Sequence, residues 1–317
     1  MYKIKQISED FYVKELIKLK FNSGNYSYFL LKKRNLTTLE AINTISKRFK
    51  INIKNIGYAG NKDKRAITEQ YISILNCNLK DIKFNDLGLK FLGYGNERIK
   101  LGNNLGNEFL ITVRNLDKKY NGIKFIVNYF DEQRFSKINI KIGKYLLQEK
   151  FKEICNLLKL DDENPIMSLN KFNKKELRFY LHSYQSFIFN KSVAEYLKNK
   201  YKYHKKVKYS SGSFIFVDKK ENLKFPLISF DAKFNKKDKI YLKILKEEKI
   251  NLEQFIIKKI PWLIEETSYR NVFANVKNFK IVKYEKDELN KGEFKQIISF
   301  TLPKGSYATI LVKEIFE

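Results

Sequence analysis

Between residues 25 and 75 the hydrophobic period changes repeatedly, and this commits the chain to a mixed architecture. NYSYFLLKKR (25–34) reads as a strand that ends in basic residues. Thr37-Thr38-Leu39-Glu40 then forms a capping-box pattern, in which the Thr37 hydroxyl accepts from the backbone near Glu40 and the Glu40 side chain reaches back. Leu39, Ile42, Ile45 and Phe49 follow at mostly helical spacing, which predicts about three turns with one face inward. INIKNIGYAG shifts back to an extended pattern, with Gly57 and Gly60 expected to bracket a turn, and QYISIL (70–75) alternates as a strand.

EFLITVRNL (108–116) is a further strand, with Phe109, Ile111 and Val113 on one face and Thr112 and Arg114 on the other. Residues 174–200 are the clearest helix: Leu177, Leu181, Tyr184 and Ile188 form a stripe that Phe187 broadens. From about 198 to 259 lysines are frequent and the elements short, SGSFIF (211–216) and KIYLKIL (239–245) among them. The end reads strand, Pro-Gly turn, helix, with Ala308, Leu311, Val312 and Ile315 on the buried face.

Charge narrows the function. The 317 residues hold 63 Lys plus Arg against 35 Asp plus Glu, a formal +28. An AT-rich genome would enrich lysine, but it would enrich acidic codons too. Self-repulsion at this charge disfavours the compact state, so a polyanion is the economical partner, with an anionic membrane surface as competitor. No apolar run approaches the ~18 residues that span a bilayer, and MYKIKQISEDFYVKE has no apolar signal region. Cys77 and Cys155 lie far apart without metal or redox spacing, and with only His182 and His204 besides, no zinc site is expected. Neither histidine is assigned a role. The expectation is a cytoplasmic protein with buried free thiols, no membrane partner and no metal.

One loop stands out. GYAGNKDKRAITEQ (57–70) places Asp63 between Lys62 and Lys64, with Arg65 next. Neighbouring cations favour the charged form of an aspartate, which suits a nucleophile or base. A loop aspartate that caps amides or pairs with Lys62 fits the same residues, and the loop alone leaves both readings open.

Longer strings bear on the choice. Gly60-Asn61-Lys62-Asp63 followed by Ala66-Ile67-Thr68-Glu69-Gln70 resembles the signature of the TruD family of tRNA pseudouridine synthases, a Gly-x-Lys-Asp motif followed by Ala-x-Thr-x-Gln. ISEDFYVKE (7–15) is similar to the family's Pro-Glu-Asp-Phe-x-Val-x-Glu, with Ser8 in place of proline. GNEF (106–109), NYFDEQRF (128–135), YLHSYQSFIFN (180–190) and LPKGSYAT (302–309) resemble the remaining landmarks in order. The resemblance runs from near residue 5 to residue 315 and is weakest between about 200 and 270. Asp131 and Ser136 stand where the family carries glycines, and an altered turn is expected, since Asp tolerates φ > 0 better than most residues.

The resemblance implies the following roles. Asp63 is the nucleophile that attacks a flipped-out uridine, whose base leaves its ribose carbon, rotates and rejoins through carbon; no cofactor is needed. Lys5 keeps Asp63 ionised and offsets developing charge. Phe109 stacks on the base, a contact worth about 1–3 kcal/mol, although its shared face with Ile111 and Val113 also suits core packing. Asn107 is a neighbouring polar contact. Tyr307 walls the uracil pocket, its hydroxyl with a free pKa of about 10 being a poor base. Lys62, Lys64, Arg65, Arg134 and Arg270 are candidate RNA contacts, the two last equally suited to structural roles. Lys198, Lys200, Lys202, Lys205, Lys206 and Lys208 form a further basic cluster.

The implied substrate is tRNA, at position 13 of the D-arm. The implied fold is α/β (α+β): a mixed, mainly antiparallel-sheet pseudouridine synthase catalytic domain, residues 1–146 and 275–317, with an inserted α/β TRUD domain, 147–274. A monomer is the default. Two other classes stay open: an RNA-binding or RNA-folding protein that keeps the pocket without needing the chemistry, and a base-modifying enzyme such as a methyltransferase, which the lack of a glycine-rich nucleotide loop disfavours.

Overall fold

The structure, a computed structural model, describes residues 1–136, 138–236 and 239–317. Packing divides them into two compact units, Met1–Lys124 with Asn275–Ala308 and Ile315–Glu317, and Phe125–Ala274 with Thr309–Glu314.

The first unit is built on a nine-stranded sheet. Its strands are β1 (Phe11–Leu16), β2 (Tyr26–Arg34), β3 (Ile56–Tyr58), β4 (Ile67–Leu75), β5 (Ile82–Phe84), β6 (Leu87–Gly95), β7 (Gly106–Leu116), and the late strands Lys277–Lys286 and Phe294–Pro303. From one edge the order runs Lys277–Lys286, Phe294–Pro303, β7, β1, β4, β2, β6, β5. Every pairing is antiparallel except β1 with β4. β2 pairs along one edge of β4, while β1 takes Ile67–Glu69 and β3 takes Ile72–Ile74 on the other.

Local signals explain most of these elements. The helix α1 (Thr38–Arg48) starts at the capping box: Glu40 N donates to Thr37 Oγ1 at 3.1 Å and Thr37 N to Glu40 Oε2 at 2.6 Å. Its buried face is Ala41, Ile42 and Ile45, set on Phe29, Leu31, Ile72, Ile74, Leu87 and Leu89 of the sheet. Leu39, expected on that face, is exposed. It faces outward from the first turn, whose inward positions are taken by Thr38 and Ala41. Each fully buried Leu, Ile or Phe contributes roughly 1.5–3 kcal/mol to holding this helix on the sheet.

Gly57 does not bracket a turn. It lies within β3 opposite Ser73, and a Cβ there would stand 2.4 Å from the Ile99 carbonyl oxygen and 2.6 Å from Ser73 Oγ. Close approach of backbones, not a bend, is why glycine occupies the position. The late strand and turn lead into the C-terminal helix Ala308–Phe316, with Ala308, Leu311, Val312 and Ile315 buried.

In the second unit the long helix spans Lys174–Lys200, with Leu177, Leu181, Tyr184 and Ile188 all buried. Phe187 is only half-buried, whereas Phe189, Ser186 and Asn190 are enclosed, so the middle of this helix is packed on more than the expected stripe. SGSFIF yields the strand Gly212–Phe216, and KIYLKIL opens the helix Ile240–Glu248. Asp131 does not occupy a left-handed turn: its φ of −80° and ψ of 160° are extended, and it precedes the short 3-10 turn Glu132–Arg134. An extended backbone accepts any side chain, so no glycine is required. Cys77 and Cys155 are buried free thiols, and burial pushes both upward in pKa. Among the described residues no helix is long and apolar enough to cross a membrane.

Candidate active site

Asp63 sits in the loop between β3 and β4. The loop is pinned at several points. Lys62 N donates to Thr38 Oγ1 (2.9 Å), Gln70 Nε2 to the Gly60 carbonyl (3.4 Å), and Asn35 N to the Ala66 carbonyl (3.3 Å). Thr38 in turn donates to Gln70 Oε1 at 2.8 Å, so the motif's final glutamine braces its opening glycine through the first turn of α1.

The four nearby cations behave differently. Lys62, next to Asp63 in sequence, turns inward to Glu15 Oε1 at 2.6 Å; Glu15 has no exposure and also accepts from Tyr71 N. Lys64 pairs with Glu40 at 2.7 Å. That hydrogen bond, with those from Thr37, holds the Glu40 carboxyl down to about 2. Arg65 is exposed. Lys5 alone among them contacts Asp63, its Nζ lying 2.6 Å from Oδ2.

Lys5 is delivered by the fold. Lys3 and Arg114 exchange two backbone hydrogen bonds (2.9 and 2.8 Å), which ties the N-terminal segment to β7 before β1 begins. Lys5 itself has φ +56°, an uncommon backbone for a side chain this size. Its ammonium rests 4.1 Å from the Phe11 ring centroid. The Lys5 side chain is 15% exposed and that of Asp63 43% exposed, so a mostly enclosed cation holds an accessible carboxylate. Among the described residues Lys5 is the only side chain that hydrogen-bonds this carboxylate, which leaves Oδ1 open for chemistry.

Beside the ion pair runs an aromatic series. Phe11 meets Phe109 edge-on at 6.2 Å, and Phe109 stacks on Phe300 at 5.2 Å with 23° between the rings. Phe109 is 6% exposed and shares the buried face of Ile111 and Val113. Asn107, two residues earlier, stands opposite Glu15 in β1 and Leu302 in the late strand, and its Oδ1 is buried without a hydrogen-bond partner among the described residues. Gly106 is required there, because a Cβ would lie 2.4 Å from the Leu302 carbonyl oxygen. The same late strand ends at Pro303, opposite Gly106, so the turn that carries half-buried Tyr307 leaves the sheet at the Asn107 end.

Two expected residues lie in the second unit. Arg270 donates from Nε to the Asn128 carbonyl and from a terminal nitrogen to Asn128 Oδ1, both at 2.9 Å, with its guanidinium 4.1 Å from the Phe130 ring. Arg134 lies 5.5 Å from the same ring and 5.2 Å from Phe179. The sequence offered no reason to pair these arginines; Phe130 brings them together.

Sequence reasoning missed three charged residues. Glu15 anchors Lys62. Asp10 holds buried Arg114 at 2.8 Å, with Asp287 at 2.8 Å on the other side. The three acids of ISEDFYVKE thus have separate tasks: Glu9 pairs with Arg34, Asp10 with Arg114 and Glu15 with Lys62 under the loop. The third is Lys33, fully buried, whose Nζ donates to the Leu36 carbonyl and, at 3.0 Å, to the Asp63 backbone carbonyl. Burial pushes Lys33 down to about 8, partly offset by Asp63. Strand alternation carried the signal: Lys33 follows Phe29 and Leu31 on the inward face, while Lys32 and Arg34 point out.

The crystal structure of TruD from Methanosarcina mazei superposes with a TM-score of 0.72 over 99% of this chain and 93% of that one, at 24% identity, which establishes the shared mixed, mainly antiparallel fold. The family model for tRNA pseudouridine synthase D (TruD) matches residues 2–162 and 211–315. The chain belongs to the TruD family. The tRNA pseudouridine synthase D of Aquifex aeolicus is 32% identical, with 99% of this chain and 98% of that protein covered. A Nanoarchaeum equitans protein named as a probable tRNA pseudouridine synthase D is also 32% identical, over 92% of this chain and 87% of its own length. The segment outside the family match, between 162 and 211, starts earlier than the stretch expected to be most divergent, overlaps only its beginning, and includes YLHSYQSFIFN.

Proposed function

We propose that this protein converts uridine to pseudouridine in tRNA, with Asp63 as nucleophile toward an extruded uridine. The observation that carries this reading is the selective contact at Asp63. Two adjacent lysines are engaged by other acids, and an enclosed lysine far away in sequence holds the accessible carboxylate at 2.6 Å. A carboxylate whose charge is stabilised on one oxygen while the other stays open suits attack on the target nucleotide. Asp63 Oδ1 bonds to the ribose carbon as that carbon's bond to N1 breaks; the freed base turns, its C5 displaces the carboxylate to form the carbon–carbon bond, the C5 hydrogen leaves as a proton and N1 takes one up. Lys5 offsets charge during cleavage. In this reading the Asn107 amide reads a uracil edge, a role its unpartnered buried oxygen supports, and Tyr307 walls the base.

The expected target is position 13 of the D-arm, as the family resemblance implies. Extrusion of a base costs a few kcal/mol, which phosphate contacts by exposed cations such as Arg65 would supply. Arg134 and Arg270, gathered on Phe130, are the corresponding candidates in the second unit. Tritium release from tRNA carrying 5-tritiated uridine tests the reading: wild type should release tritium and Asp63→Asn should not. No release from wild type on any tRNA sinks the synthase reading, and equal release from the variant removes Asp63 as nucleophile.

A further inference from the structure

We infer that Lys33 is a positioning residue for Asp63: its buried ammonium grips the Asp63 backbone carbonyl and so sets where the carboxylate stands against Lys5. The inference rests on the reading of Asp63 as nucleophile. Its basis is the unusual use of this lysine. Lys33 has no exposed surface, yet its two hydrogen bonds go to main-chain carbonyls, those of Leu36 and Asp63, and not to a carboxylate. A buried ammonium bears a large desolvation cost. The inward positions Phe29 and Leu31 show that an apolar side chain would satisfy this face of β2, so packing does not account for a cation here.

The other restraints on the loop act elsewhere. Thr38 and Gln70 hold residues 60 to 62, and Asn35 holds Ala66. Among the described residues Lys33 is the only group bonded to the backbone at Asp63. Asp63 is therefore held at both ends by lysines, Lys5 on the carboxylate and Lys33 on the carbonyl. The charged groups around Lys33 are Asp63 and Lys62 from the loop and Glu40 from α1. Lys62 is engaged by Glu15, and Glu40 by Lys64. The strands on either side present Thr68 and Leu87, both uncharged.

Lys33 loses its proton near pH 8, where an ammonium with three strong donors becomes a weaker amine. The test compares wild type with Lys33→Met, Lys33→Arg and Asp63→Asn by tritium release at saturating tRNA, from pH 6.5 to 9.5, with thermal unfolding of each. Lys33→Met is expected to lose about 100-fold in kcat, the scale of a misplaced reacting group, while KM for tRNA stays within about threefold. Wild-type kcat is expected to fall through a midpoint near pH 8, and this limb to be absent in Lys33→Arg, whose guanidinium does not titrate there. Wild-type kcat in Lys33→Met overturns the inference, as does an alkaline limb of unchanged midpoint in Lys33→Arg. Should Lys33→Met fail to fold, the wild-type and Lys33→Arg profiles decide. An inactive Asp63→Asn beside a fully active Lys33→Met defeats this inference alone; an active Asp63→Asn defeats the nucleophile reading.

Discussion

Lys62 Nζ lies 2.6 Å from Oε1 of Glu15, a carboxylate with no solvent exposure, although Lys62 is the immediate neighbour of Asp63 in sequence. Glu15→Ala strands an ammonium that is itself 8% exposed and removes an acceptor from Tyr71 N. The expected loss is about 3–5 kcal/mol in urea unfolding. Glu15→Leu combined with Lys62→Met is expected to recover much of it, because no unpaired charge then remains. A double variant as unstable as the single one would contradict this account.

Lys5 is expected to act in the reaction more than in stability. Lys5→Met removes the contact with Asp63 Oδ2 and leaves the sheet intact, since Lys3 and not Lys5 bridges to β7. A fall of about 100- to 1,000-fold in kcat is expected, the scale of removing one preorganised donor, with tRNA affinity little changed. Tritium release and filter binding measure the two. Unchanged kcat would show that the contact is only structural.

Lys33 also makes a pH prediction for stability. Its folded pKa of about 8 lies below the ordinary 10.5, so above pH 8 the unfolded chain binds the extra proton. Stability of wild type should therefore rise with pH between about 8 and 10.5 relative to Lys33→Met, by up to roughly 3 kcal/mol. Urea unfolding of both proteins across this range checks the sign; a falling or flat difference would refute it.

Gly106→Ala is expected to destabilise by about 1–3 kcal/mol, because the added Cβ meets the Leu302 carbonyl at 2.4 Å. The strain falls beside Asn107, so activity should drop further than stability alone explains. Melting temperature and tritium release measure both.

The lysines beyond the long helix divide by structure. Lys200 pairs with Glu221 at 2.8 Å and Lys205 donates to the Glu314 carbonyl, while Lys206 and Lys208 are exposed on the strand Lys205–Tyr209. Lys206→Ala and Lys208→Ala are each expected to weaken tRNA binding and to lower the slope of log K against log salt by about one. Lys200→Ala should leave the slope unchanged. A reversed order would place the phosphate contacts elsewhere.

Much of the fold was legible because its signals are local. The Thr37/Glu40 capping box, the alternation of β2, β4 and β7, and the stripe of the long helix are each written within a few residues. Misreadings arose where a distant backbone set the rule. Gly57 looked like a turn residue because the carbonyl of Ile99 is invisible in its own segment. Asp131 looked like a left-handed substitute because the path of its chain is fixed by packing.

The sequence by itself determined that a lone aspartate stands in a basic loop, within a mixed α/β chain that carries TruD motifs in order. It also placed Phe109 on a strand, 108–116, which the structure extends back to Gly106 and Asn107. Spacing along the chain left open which cation meets that aspartate; the family resemblance implied Lys5, and the tertiary structure shows that contact and where the competing cations go. Lys62 and Lys64 are adjacent to it, yet Glu15 and Glu40 take them, and the partner is Lys5, 58 residues away. Charge pairing follows distance in space, and the bridge to β7 with the register of β1 and β4 sets that distance.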